Sequence, residues 1–245
     1  TRAFAGVPER PLIGTIIKPS VGLSAEATGA LVADLCAGGI DFIKDDELQA
    51  DGPACPFEDR VKSTMRAVNA AADKTGKKAM VAFNLTGETD EMRRRHDLVR
   101  DCGGTCVMVN LTGVGMSGMI DIGRHTEMPI HAHRAGWGAL TRDPLLGWSY
   151  PAWSKLWRLA GADHMHVNGF DNKFTESNES VAASVASLKD PLFGNSPMCA
   201  IPVFSSGQTV RQAAATLNAA GSPDVLVTAG GGIIAHPDGV TEGVK

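Results

Sequence analysis

The 245-residue sequence lacks a long apolar run and carries little excess charge. No window approaches the roughly 20 apolar residues of a membrane-spanning helix, and no secretory signal opens the chain, so we expect no membrane partner. The net charge of −4 argues against nucleic acid as a partner, because nucleic-acid-binding domains present a basic surface. The basic run at 93–95 is better explained as the solvated face of a helix.

Cysteine is scarce as well, with five residues: Cys36, Cys55, Cys102, Cys106 and Cys199. Their odd number and mostly apolar surroundings favour reduced thiols, and a cytoplasmic location, over a disulfide framework. Cys102 and Cys106 have no matching second pair, which makes zinc a weak interpretation there. No GxGxxG motif opens a first helix, which counts against a dinucleotide-binding sheet.

What the chain contains instead is a repeated strand-then-helix unit. Apolar strands are predicted at 12–18, 41–44, 78–85, 105–111, 128–133, 163–167, 199–204 and 224–228. Helices are predicted at 25–37, 59–75, 89–101, near 115–123, and at 151–160, 180–188 and 210–219. Eight such strands in this length favour an α/β fold, a closed (β/α)8 TIM barrel, over a doubly wound sheet.

The two ends of the sequence suggest a part of something larger. The last predicted strand ends shortly before Lys245, so we expect the final helix to be short or missing. The chain also starts abruptly at Thr1. We therefore expect one catalytic barrel domain over 1–245, as a fragment or as one domain of a longer protein.

Polar side chains close almost every predicted strand. They are Lys18, Lys44, Asp46, Glu47, Asn84, Asn110, His131, His133, Arg134, His164, His166, Asn168, Ser205 and Ser206, with glycines at 207 and 230–232. In a (β/α)8 barrel the catalytic residues come from the C-terminal ends of the strands. A lone histidine on an apolar strand is usually a packed core group. Repetition over eight strands is hard to explain by packing.

The stretch GGIDFIKDDE at 38–47 places a lysine inside a run of carboxylates. On pattern alone a solvated strand end is favoured. The alternative is a cation site, for which a protonated Lys44 is unsuitable because it repels a metal. A carbamate formed from its amine and CO₂ supplies oxygens, and with Asp46 and Glu47 it gives three oxygen ligands, which suits Mg²⁺. Lys18, one strand away, is a candidate proton-transfer group.

The later strands carry groups that suit an anionic substrate. His131 and His133 lie two residues apart and face the same side of their strand, and such a pair can ligate a metal or bind phosphate and substrate hydroxyls. The same holds for the pair at 164 and 166, and Arg134 suits an anionic oxygen. Glycine turns follow the seventh and eighth strands, at 205–207 and 230–232. Two such turns side by side predict a phosphate cradle.

Six motifs, in this order, resemble the large-chain barrel of RuBisCO: GTIIKP, GGIDFIKDDE, HAHRAG, GADHMH, IPVFSSG and GGGIIAHP. The resemblance covers nearly the whole chain, over about 11–236. It implies that Lys44 is carbamylated and binds Mg²⁺ with Asp46 and Glu47. It further implies proton transfer by Lys18, an active-site His133, and a mobile-loop Lys173 over the substrate. Two phosphate sites are implied, one at Arg134, His166 and Ser205 and the other at Gly207, Gly230 and Gly231.

Departures from the family pattern argue against CO₂ fixation. The carboxylases read Lys-Pro-Lys after the first strand, whereas this chain reads Lys18-Pro19-Ser20. The turn after the seventh strand reads Ser-Ser-Gly, and the loop around Lys173 reads NGFDNKFTES. These features are similar to the RuBisCO-like proteins, above all to those that decarboxylate a phosphorylated branched 3-oxo sugar acid. The methionine-salvage enolases and isomerases come next.

The resemblance therefore predicts Mg²⁺-dependent enolate or enediolate chemistry on a phosphorylated keto-sugar or 3-oxo sugar acid, most simply a decarboxylation. The family's N-terminal domain, which completes a neighbouring subunit's site, has no counterpart here, so we expect this chain alone to be incomplete. The resemblance also implies a homodimer or higher homo-oligomer with the site shared between subunits. A ribulose-bisphosphate carboxylase is a further alternative. A two-metal hydrolase is disfavoured because such barrels place His-x-His on the first strand. A non-catalytic binding module is disfavoured by the intact Lys44, Asp46, Glu47 and His133.

Overall fold

A closed barrel of eight parallel strands forms the centre of the computed structural model, which describes residues 1–143 and 145–245. The strands pair in chain order, and β8 closes the barrel against β1. They are β1 Leu12–Ile16, β2 Phe42–Lys44, β3 Met80–Asn84, β4 Cys106–Asn110, β5 Ile130–His133, β6 His164–Asn168, β7 Ile201–Phe204 and β8 Leu226–Thr228. The prediction of a (β/α)8 barrel is confirmed.

Helices surround the barrel and follow the predicted pattern closely. They are α1 Arg2–Ala5, α2 Ala25–Gly38, α3 Phe57–Thr75, α4 Thr89–Asp101, α5 Leu111–His125, α6 Tyr150–Leu159, α7 Asn178–Lys189, α8 Ala213–Ala220, α9 Gly230–Ile234 and α10 Val240–Val244. The helix predicted at 210–219 is divided into a 3₁₀ turn, Val210–Gln212, and α8. The final helix, α10, is short, as expected. It packs closely on α2 at Gly38, where a Cβ atom on residue 38 would lie 2.7 Å from Val244 Cβ.

The strands are apolar because both of their faces are buried. One face packs against the helices in the larger core cluster. The other faces the barrel interior, where Leu12, Phe42, Met108 and Leu226 pack together with Ala5 and Val7 from the segment before β1. That segment therefore packs into the barrel interior. Its Thr1 hydroxyl lies 2.8 Å from Nε2 of His164.

A buried ion pair fixes the loop that follows β2. Arg60 of α3 is completely buried and donates from Nε to Oδ2 of Asp45 at 3.1 Å. Its two other nitrogens donate to the carbonyls of Cys55 and Ala50, each at 2.9 Å. Burial raises the pKa of Asp45, and the Arg60 guanidinium opposes that shift. The pair turns Asp45 towards α3, away from the residues on either side of it.

Two further findings concern the length and hydropathy of the helices and the state of the cysteines. Within the described residues, no helix is both long and apolar enough to cross a bilayer. The five cysteines are all free thiols, and three of them are buried.

We predict that Arg60→Met destabilises the fold by about 3–5 kcal/mol, because it leaves the Asp45 carboxylate buried without its partner. The measurement is the free energy of unfolding from denaturant titration. Lys62→Met on the same helix is the matched control, since Lys62 is exposed and should leave the unfolding midpoint nearly unchanged. Equal midpoints for the two variants would show that the buried pair is not needed for stability.

Candidate active site

A cavity of about 1220 Å³ opens at the C-terminal end of the barrel. Its lining includes eleven of the twelve predicted site residues: Lys18, Lys44, Glu47, His133, Arg134, His166, Lys173, Ser205, Gly207, Gly230 and Gly231. The twelfth, Asp46, is buried behind Lys18. The strand ends thus bring together residues that are up to 213 positions apart in the sequence, Lys18 and Gly231.

Lys44 is the buried cation of this site. Its side chain is 3% exposed, and its amine donates to Oε2 of Glu47 at 2.6 Å and to the carbonyl of Asp45 at 3.0 Å. Burial lowers the pKa of Lys44 below its ordinary value, although Glu47, Asp46 and Asp45 oppose the shift. A lowered pKa increases the fraction of neutral amine, which is the form that can act as a nucleophile.

Lys18, Ser20 and Asp46 form a closed triangle of hydrogen bonds beside Lys44. The Lys18 amine donates to Ser20 Oγ at 2.7 Å and to Asp46 Oδ2 at 2.6 Å, and Ser20 Oγ donates to the same carboxylate oxygen at 2.6 Å. Burial raises the pKa of Asp46, but the hydrogen bonds from Lys18, Ser20 and the Leu48 amide outweigh it and hold the pKa below its usual range. Asp46 is therefore ionised and orients the Lys18 amine towards the cavity.

His133 is positioned with a defined proton. Its Nδ1 accepts a hydrogen bond from the Ala135 amide at 3.1 Å, which leaves the proton of the neutral ring on Nε2. Burial, with Lys44 adding to it, keeps the pKa of His133 well below the usual range, so the ring is neutral. Nε2 lies 3.5 Å from Oε2 of Glu47. This histidine can donate one hydrogen bond at the cavity wall.

The two histidine pairs divide between the cavity and the barrel interior. His133 and His166 line the cavity, whereas His131 and His164 are completely buried below them. Residues two apart on a strand share a face but differ in height by nearly 7 Å, so only the member nearer the strand end reaches the cavity. His131 Nε2 lies 2.9 Å from His166 Nε2, and His166 Nδ1 lies 3.1 Å from Ser205 Oγ. The lower histidine thus supports the ring above it.

Arg134 presents an unused donor. One nitrogen donates to Oε2 of Glu176 at 3.0 Å, and its guanidinium carbon lies 5.0 Å from the centre of the Tyr150 ring. The Tyr150 hydroxyl in turn donates to the carbonyl of His166 at 2.7 Å. Nη1 of Arg134 is buried and has no hydrogen-bond partner among the described residues. A buried guanidinium nitrogen without a partner beside a cavity is suited to an anionic ligand.

Two backbone turns also line the cavity. Gly207 has a φ of 95°, which favours glycine, and it follows Ser206, whose φ is also positive. Gly230 lies so close to β1 that a Cβ atom would be 2.9 Å from Ile16 Cγ2. The amide of Lys173 donates to the carbonyl of Ser206 at 3.1 Å, so the loop after β6 rests on the first of these turns. The Lys173 amine lies over the Phe174 ring, 5.4 Å from its centre.

Three further residues support the site, of which Asn84 was named in the sequence only as a polar strand end and had no predicted role. Asn84 donates from one amide nitrogen towards the carbonyls of residues 46, 47 and 49 at 3.1–3.3 Å, which fixes the loop carrying the carboxylates. Glu176 holds Arg134 and also accepts from Asn168. In the sequence, Ser20 was noted only because it replaces a lysine that the carboxylases have at this position. Its position two residues after Lys18 was visible, whereas the partners of Asn84 and Glu176 depend on the fold.

The chain matches the family described as ribulose bisphosphate carboxylase large chain, catalytic domain, over residues 2–245. It is 63% identical over 240 residues to a 3-oxo-isoapionate-4-phosphate transcarboxylase/hydrolase of Xanthobacter autotrophicus, covering 98% of this chain and 58% of that protein. It is 40% identical over 247 residues to a 3-oxo-isoapionate-4-phosphate decarboxylase of Rhizobium etli, covering 100% of this chain and 59% of the relative.

Solved structures agree with the sequence comparison. A rubisco-like protein from Burkholderia fungorum superposes with a TM-score of 0.96 at 46% identity, covering 99% of this chain and 60% of that one. An octameric RuBisCO from Pyrococcus horikoshii superposes with a TM-score of 0.93 at 32% identity, covering 100% of this chain and 57% of that one. The chain thus spans just under three fifths of the length of the curated relatives it matches. The chain belongs to the RuBisCO large-chain catalytic-domain family.

Proposed function

We propose that the protein is a RuBisCO-like lyase that removes the carboxyl group from a phosphorylated 3-oxo sugar acid. The observation that carries the proposal is the buried Lys44 amine, held between the carboxylates that follow β2 at the floor of the cavity. The named activities of the relatives at 63% and 40% identity support the substrate class, since both names specify 3-oxo-isoapionate 4-phosphate.

The charges around Lys44 fit a divalent cation once the amine has reacted with CO₂. Three cations and three carboxylates are paired here: Lys44 with Glu47, Lys18 with Asp46, and Arg60 with Asp45. When the ammonium loses two protons to solvent and its nitrogen bonds to the carbon of CO₂, the cation becomes an anionic carbamate that keeps one N–H. The three pairs would then carry two excess negative charges, which Mg²⁺ would neutralise.

The donor set fits the same ion. A carbamate on Lys44, with Asp46 and Glu47, provides oxygen ligands of the kind Mg²⁺ prefers. The loss of the ammonium would release Glu47 from its present hydrogen bond. When bound, Mg²⁺ would supply Lewis-acid stabilisation of negative charge on substrate oxygens.

The phosphate group is assigned to the wall formed by Arg134, His166 and Ser205. Arg134 offers the unpartnered Nη1, and the Ser205 hydroxyl lies within 3.1 Å of His166 Nδ1, so the three groups line one part of the cavity. The glycine turns at Gly207 and Gly230–Gly231 line the same cavity and suit a second anionic group of the substrate. Binding at these walls would place the reacting carbons towards Lys44.

The proposed decarboxylation requires a proton donor for C2 of the substrate. In decarboxylation of a 3-oxo acid, the bond between C1 and C2 breaks, CO₂ leaves, and the bonding electrons form an enolate that takes up a proton at C2. The Lys18 amine, oriented by Asp46 and Ser20, is the proposed proton donor. The neutral His133 would donate a hydrogen bond from Nε2 to a substrate oxygen, and Lys173 would approach developing charge from its loop.

Carboxyl transfer, and enolase or isomerase activity, are the second candidate functions. The relative at 63% identity is named a transcarboxylase/hydrolase, which would pass the carboxyl group on instead of releasing it directly as CO₂. An enolase or isomerase would use the same Lys18 and cation site without carbon–carbon cleavage. Carboxylation of ribulose bisphosphate is disfavoured because Ser20 stands where the carboxylases have a lysine.

We further propose a cytoplasmic homo-oligomer, a homodimer at least, whose site is completed by a neighbouring subunit. The matched archaeal RuBisCO structures are described as octameric and dimeric. The present chain covers 60% of the rubisco-like protein from Burkholderia fungorum, and the part of that relative outside the matched region is long enough to supply such a contribution.

The full-length protein tests this proposal directly. Incubation with carboxyl-labelled 3-oxo-isoapionate 4-phosphate, Mg²⁺ and bicarbonate should convert the substrate to a product lacking the carboxyl group. Label released as CO₂ supports decarboxylation, and label retained on an acceptor supports carboxyl transfer. Turnover that is indifferent to both Mg²⁺ and bicarbonate would refute the proposed cation site.

We predict that Lys44→Arg lowers turnover by about 10³-fold or more, since a guanidinium keeps the charge but cannot become a carbamate. In ¹³C-bicarbonate, the wild-type protein should give a carbamate NMR signal that the variant lacks. Because burial lowers the pKa of Lys44, the signal should grow as the pH rises and more of the amine becomes neutral. Lys62→Arg, at an exposed position, is the control and should behave as wild type. An unchanged signal in Lys44→Arg would place the carbamate elsewhere.

We also predict that Glu176→Gln raises KM for the phosphorylated substrate by about tenfold with a smaller change in kcat. Glu176 holds Arg134 through a charge-assisted hydrogen bond, so the variant loses orientation of the phosphate-binding nitrogen but keeps the size of the side chain. Glu179→Gln on α7 is the matched exposed control. A selective fall in kcat at constant KM would contradict a positioning role for Glu176.

A further inference from the structure

A second group of ligand-type side chains lies on the outer helical layer, away from the cavity. His96 and Asp97 belong to α4, and His125 is the last residue of α5. None of the three lines the cavity. Their ligating atoms all lie within 4.8 Å of one another. Within the described residues, 1–143 and 145–245, this is the single cluster of three or more His, Cys, Asp or Glu side chains at such distances.

The three side chains converge on one oxygen. Asp97 Oδ1 lies 3.0 Å from His96 Nδ1 and 3.0 Å from His125 Nε2. The two imidazole rings are 4.8 Å apart and nearly perpendicular. Tetrahedral zinc with bonds of about 2.0–2.1 Å places its ligand atoms about 3.3 Å apart. Both carboxylate–imidazole distances already approach that spacing, so only the two histidines need to close together.

The buried histidine has a partner that suits a metal ligand. His96 is 3% exposed, and its Nε2 lies 2.9 Å from the Thr126 hydroxyl. If Nδ1 binds a metal, Nε2 carries the proton and donates it to Thr126 Oγ1. That hydroxyl can then donate towards the Met128 carbonyl at 3.4 Å. Metal-bound histidines commonly have such an outer partner, which fixes the ring and its tautomer.

Two of the three side chains are partly open to solvent. His125 is 31% exposed and Asp97 40% exposed, so solvent can supply a fourth ligand. Arg100 donates to Asp97 Oδ1 at 3.0 Å, but it also contacts Asp101 through two nitrogens at 3.0 and 2.9 Å. Arg100 can therefore release Asp97 and keep a carboxylate partner.

We propose that His96, Asp97 and His125 form a binding site for a zinc-class divalent ion that links α4 to α5. Two imidazole nitrogens and one carboxylate oxygen, with an open position towards solvent, match the ligand preference of Zn²⁺ and differ from the all-oxygen set proposed around Lys44. The site is independent of the reaction in the cavity.

Zn²⁺ binding by the full-length, chelator-treated protein tests the site. The probe is Zn²⁺ competed against a fluorescent chelator, with Mg²⁺ and bicarbonate in excess to occupy the cavity. The wild-type protein should bind one equivalent that His125→Gln loses or binds at least about tenfold more weakly. His236→Gln is the matched control and should retain the wild-type stoichiometry and affinity.

Two further readouts separate ligation from damage to the fold. His125→Gln should melt at the wild-type temperature without zinc and lose the rise in Tm that zinc gives the wild type. Anomalous diffraction at the zinc edge from soaked crystals should place the ion against His96 and His125. Equal zinc stoichiometry and affinity in wild type and His125→Gln, or an anomalous peak only in the cavity, would overturn the proposal.

Discussion

The burial of the Lys44 ammonium among carboxylates is the constraint on which the rest of the site depends. A buried charge is stable only when it is paired and hydrogen-bonded, and Lys44 has Glu47 and the Asp45 carbonyl as partners. Arg60 takes up the charge of Asp45, and Lys18 takes up that of Asp46. In the proposed active form, a carbamate on Lys44 would remove this balance, and a divalent cation would restore it.

The barrel makes this arrangement possible because it separates the side chains that support the fold from the side chains that face the cavity. At the end of β2 the adjacent residues Lys44 and Asp45 point to opposite sides, so Asp45 is held by α3 while Lys44 faces the cavity. Asn84 from the neighbouring strand holds the loop carbonyls in place. The cavity thus has a floor held by hydrogen bonds, and the guanidinium of Arg134 and the glycine turns line its walls.

Much of this could be predicted from the sequence, and the exceptions have physical causes. The eight strands were visible because both faces of a parallel barrel strand are apolar, and GGIDFIKDDE was recognisable as a motif. The depth difference that separates His133 from His131 follows from strand rise, and the site's position at the C-terminal strand ends decides that His133 reaches the cavity. The pairing of Arg134 with Glu176 joins residues 42 positions apart, so no local pattern reveals it.

The crystal structure of the full-length protein grown with Mg²⁺ and bicarbonate tests the central claim most directly. Our account predicts that electron density continues beyond the Lys44 amine into a planar carbamate, with an ion bound between it, Asp46 and Glu47. An unmodified Lys44 that still donates to Glu47 under these conditions, with no ion between the carboxylates, would contradict it.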